Sequence, residues 1–81
     1  MGTINLKYDY HDYDERLACE MKEVKMIYMA YKKNENNDAL YQSLKQAIYN
    51  LQIATKVKVA EGSMNISEAE EMREFYWSLL L

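Results

Sequence analysis

The chain has 81 residues, one cysteine, no proline and a formal net charge of −3. That length makes one domain at most, and so short a chain buries only about 60% of its unfolded surface. The lone Cys19 excludes an internal disulfide and any zinc-finger spacing, and the mild acidity lacks the basic surplus expected of a nucleic-acid binder. No apolar run approaches the roughly 20 residues that span a bilayer, and residues 1–9 lack the apolar stretch of a secretory leader. The expected location is therefore the cytoplasm, where a free thiol persists. Cys19 is expected to be buried or half-buried, as free cysteines usually are.

Ile4, Leu6, Tyr8 and Tyr10 alternate with polar residues, the period of a half-buried strand. A strand needs a partner, so residues 1–11 are read as an extended N-terminal arm. The first helix is expected over 12–34, with Asp12 or Asp14 as N-cap. Its apolar stripe, Leu17, Met21, Val24, Tyr28 and Tyr31, is spaced 4-3-4-3, which keeps side chains on one face of an α-helix. Lys32 and Lys33 fall in its last turn, where cations complement the helix dipole.

Asn36-Asn37-Asp38 is turn and cap chemistry. The second helix is expected over 38–62, and its stripe of Leu40, Leu44, Ala47, Leu51 and Ala54 repeats the 4-3-4-3 spacing. Thr55 to Val59 also alternates, but it continues this stripe without a break and is read as helix. Gly62 suits the residue just past the helix end. Ser67-Glu68-Ala69-Glu70 fits a capping box and opens a third helix over 67–81, with Ala69, Met72, Phe75, Tyr76, Leu79 and Leu80 along one side. Residues 39–62 carry a surplus of two positive charges and residues 63–81 a surplus of three negative ones. The expected fold is all-α: a three-helix bundle built on a long antiparallel helical hairpin, as one helical domain over 1–81.

Apolar residues also occur off the stripes. Cys19, Met26, Met29 and Ala30 lie nearly opposite the first stripe, and Tyr49, Ile53, Val57 and Ala60 nearly opposite the second. A two-helix hairpin needs one apolar face per helix, so part of this surface is read as an interface. Methionine suits adaptable docking surfaces and tyrosine is enriched in interface cores. Tyr8, Tyr10 and Tyr13 of the arm are candidate anchors beside Met26, Met29, Tyr49 and Ile53.

Catalysis finds little support. His11 is the only histidine and lies among carboxylates, but the calcium-loop pattern fails at Arg16 and no glycine follows. Cys19 and His11 are the sole thiol–imidazole pair and have no motif behind them. No glycine-rich phosphate loop exists, and no cofactor, metal or small-molecule substrate is implied. The Asn-, Lys-, Ile- and Tyr-rich composition gives an impression of an AT-rich genome and of a phage or mobile-element protein. The expected function is a non-enzymatic protein-binding module, a small regulator or inhibitor that docks on a larger protein as a homodimer. The alternative is a small helical protein that associates with nucleic acid through Lys22, Lys25, Lys32 and Lys33, or mimics nucleic acid with its acidic arm.

Overall fold

The computed structural model describes residues 7–81. It contains three α-helices: α1, Glu15–Lys33; α2, Asp38–Ala60; and α3, Ile66–Ser78. The described residues contain no strand, and Thr55–Val59 is helical as the stripe required.

Each helix begins where a short polar side chain closes its first turn. The Asp14 carboxylate accepts from Leu17 N at 3.1 Å, and the Asn37 side chain accepts from Leu40 N at 3.2 Å. The first helix therefore starts at Glu15, three residues later than expected, because Asp14 and not Asp12 is its cap. In α3 the expected capping box is not used. Asn65 accepts from Ser67 N at 2.8 Å, which starts the helix at Ile66 and leaves Ser67 inside the first turn.

α2 ends in a Schellman turn. Ser63 N donates to Lys58 O and Gly62 N to Val59 O, with Gly62 at φ +79°, a left-handed conformation that favours glycine. α3 ends at Ser78, short of the expected 81. Leu79, Leu80 and Leu81 each donate three residues back, so the last turn tightens toward 3-10 geometry.

The arm differs from expectation. Residues 1–6 lie outside the described residues. Beyond them the chain forms a 3-10 turn at Tyr10–Asp12, capped by the Asp9 carboxylate accepting from His11 N at 2.9 Å. A lone extended segment would leave its backbone groups unpaired, and the turn satisfies several of them locally.

α1 and α2 form the antiparallel hairpin, and their shared spacing becomes the core. Leu17, Met21 and Val24 interlock with Leu44, Ala47, Ile48, Leu51 and Ala54, and α3 adds Met72 and Tyr76. Fully burying one such aliphatic side chain contributes about 1.5–3 kcal/mol. α3 packs on α2, whereas no Cα of α1 comes within 8 Å of one in α3. The N-terminal segment fills that gap. Tyr8 lies edge-on to Phe75 at 5.5 Å and stacked on Tyr76 at 6.0 Å, and the Tyr13 hydroxyl donates to Glu68 at 3.2 Å. An ion pair between Asp14 and Lys58 ties the start of α1 to the end of α2.

Candidate protein-interaction surface

The seven residues singled out from sequence separate into two groups. Tyr8, Tyr10 and Tyr13 are half-buried against the protein's own core. Desolvation pushes the Tyr13 phenol up to about 12, helped by its hydrogen bond to Glu68. Tyr76 beneath is pushed up to about 12 as well, chiefly by burial, with Tyr13 and Tyr8 nearby adding to it. These tyrosines close the fold. The Tyr8 hydroxyl is buried without a hydrogen-bond partner, beside a cleft of about 210 Å³ that also touches Asp9, His11 and Lys25.

The other group faces outward. Met26 is 61% exposed, Tyr49 50% and Ile53 42%, while Met29 is half-buried. Met26 follows Leu17 by nine residues and Tyr49 follows Leu40 by nine, which turns each about 180° from its own stripe. On neighbouring helices of a hairpin, such positions point to opposite edges of the molecule. Met26 and Tyr49 therefore belong to different surfaces. Cys19, expected to be at least half-buried, is exposed, because it shares the outer side of α1 with Met26 and none of the described helices packs there.

The richer surface runs along α2 and α3, and part of it was missed in the sequence. Ile66 is 61% exposed at the first turn of α3. It borders a groove of about 190 Å³ whose walls are Thr55, Val59 and Ala69, with Lys56, Glu70 and Arg73 at the rim. A second groove, of about 230 Å³, lies beside Tyr49 and Trp77, with Lys45 and two glutamines around it. Trp77 is half-buried and held by its indole N–H, which donates to Gln52 Oε1 at 2.8 Å. Gln52 lines the first groove as well, so the two form one continuous face. Starting the third helix at 67 hid Ile66 from the sequence reading, since it then counted as loop.

The lysines of α1 are partly engaged within the chain. Lys22 and Lys25 lie over the Tyr10 ring at 6.0 and 5.9 Å, and Lys32 pairs with Glu35 at 2.9 Å. That pairing, foremost the hydrogen bond the ammonium donates to Glu35, raises the Lys32 pKa above its ordinary value. The backbone N–H of His11 holds the Asp9 carboxyl low, and His11 Nδ1, 2.9 Å from Asp9 Oδ1, adds to this. Among the described residues, no three His, Cys, Asp or Glu side chains come together as a metal site would require. No helix among them is long and apolar enough to cross a membrane.

A comparison with known proteins returns no relative: no family model fits the chain, and no curated protein or solved structure matches it.

Proposed function

We propose that the protein is a non-enzymatic protein-binding module, a small regulator or inhibitor that docks through its α2–α3 face. The observation that carries this reading is the uncovered apolar surface there: Tyr49, Ile66 and the open side of Trp77, set around two grooves. Apolar surface gathered in grooves and rimmed by charge is a common mark of a docking site. The nucleic-acid reading gains nothing comparable, because Lys22, Lys25 and Lys32 already contact tyrosines and a glutamate of their own chain.

Trp77 is the only tryptophan, so its emission reports on this face alone. The test is capture of partners from the native host with the wild type, Tyr49→Asp and Met26→Asp, followed by titration of the recovered partner against Trp77 fluorescence. The expected result is a partner that wild type and Met26→Asp retain, that Tyr49→Asp loses, and that shifts the emission to shorter wavelength. A partner held equally by all three without a spectral change overturns the assignment. Retained nucleic acid whose binding falls steeply with salt would favour the other reading.

A further inference from the structure

Once α3 is seen to start at Ile66, the side of it that borders the α2 groove carries a stripe of its own: Ile66, Glu70, Arg73 and Trp77, spaced 4-3-4. This stripe reads the same forwards and backwards in chemical terms. Its two ends are apolar and its two middle positions carry opposite charges. If α3 of one molecule lies antiparallel against α3 of another, with a two-fold axis between Glu71 and Met72, each residue meets its complement. Glu70 faces the partner's Arg73 and Arg73 the partner's Glu70, while Ile66 faces the partner's Trp77 and Trp77 the partner's Ile66. A two-fold interface requires this kind of reciprocity.

We propose that the occupant of the α2–α3 face is a second copy of this chain, paired antiparallel through α3. The proposal rests on the reading of that face as a docking surface and names its partner. Charge complementarity fixes the register, since sliding one helix by a turn sets Glu70 or Arg73 against apolar or like-charged neighbours. Both groups are available. Glu70 and Arg73 are exposed, and neither forms an ion pair among the described residues. From Ile66 to Trp77 the stripe runs about 16 Å. One helix of that length falls short of the about 800 Å² per partner of a standard interface, so the α2 shoulder must join it. The groove beside Ile66 offers that shoulder, with Val59 and Thr55 behind the position that the partner's Trp77 meets.

The test is molecular mass against concentration, by sedimentation, for the wild type and four variants. The wild type should form a dimer. Glu70→Arg alone and Arg73→Glu alone each set like charges across the axis twice and should weaken the dimer by at least about tenfold. The combined Glu70→Arg and Arg73→Glu exchange restores the opposition and should restore the dimer. Ile66→Asp should leave a monomer. All these positions are exposed, so an unchanged melting curve of each dilute variant shows that the fold is intact. A wild type that stays monomeric, a dimer indifferent to single reversals, or an exchange that fails to rescue a folded protein overturns the pairing. If the wild type is a monomer while Tyr49→Asp still loses a captured partner, self-pairing fails and the docking reading stands.

Discussion

The α1–α2 seam and the α2–α3 seam are built differently. The first is built from aliphatic residues at regular spacing, Leu17, Met21 and Val24 of α1 against Leu44 to Ala54 of α2, with Val24 and Leu44 fully buried. The second joins a 13-residue helix to about half of α2 through Ala69, Met72 and Tyr76, and relies on the N-terminal tyrosines to fill the remaining space. Where α3 does not reach, tyrosines take over again. Tyr28 and Tyr31 end the first stripe half-buried, and Tyr31 lies 5.8 Å from Tyr41. The contrast shows that a regular stripe is enough to pair two long helices. The short third helix instead needs aromatic filler on one side, and it leaves apolar surface free on the other.

Four changes would break or sharpen this contrast. Leu44→Asp places an unpaired charge in the aliphatic seam and should remove more than about 4 kcal/mol, enough to abolish the cooperative melt seen by circular dichroism. Tyr76→Ala attacks the aromatic seam and should cost about 3–5 kcal/mol. Amide exchange should then show α3 losing protection before α1 and α2, and simultaneous loss in all three helices would mean the two seams are one unit.

The third change uses pH. Tyr13 and Tyr76 hold their protons to about 12, against 10.0 for an unperturbed tyrosine. Between these values the unfolded chain ionises while the folded chain does not. The stabilisation is therefore complete below pH 10 and fades as pH rises toward 12. Denaturant midpoints should fall across that window, and Tyr13→Phe should make the fall shallower. Smallest of all, Met26→Asp alters an exposed side chain and should change stability by less than about 0.5 kcal/mol. A larger loss in the same denaturant titration would mean that this side is packed.

The hairpin was legible because its signal is long: five stripe positions on each helix, a polar break, and Gly62 where a left-handed residue is needed. The cap of α3 was not, because Asn65 and Ser67 are both good caps two residues apart. Sequence alone does not say which carbonyl or amide each will meet. That small ambiguity had a large effect, since it concealed the stripe from Ile66 to Trp77. The arm misled for a related reason. Its described part, from residue 7 on, ends in a 3-10 turn at Tyr10–Asp12, and an alternation that reaches only Tyr10 carries no signal for the turn that follows. The half-buried packing of Tyr8, Tyr10 and Tyr13 depends on the gap between α1 and α3, which exists only after the helices have assembled.

That gap also sets an order of assembly. Asn34–Asn37 is a four-residue link, so α1 and α2 meet at little loop-closure entropy and should form early. The bond from Tyr13 to Glu68 joins residues 55 apart in the chain, and the stacking of Tyr8 on Tyr76 closes a longer loop still. Both can form only once α3 has docked on the hairpin. By loop-closure entropy the N-terminal tyrosines should therefore dock last in folding and release first in unfolding, which pulsed amide exchange would read. A nascent chain emerging from a ribosome would carry them exposed until α3 is released.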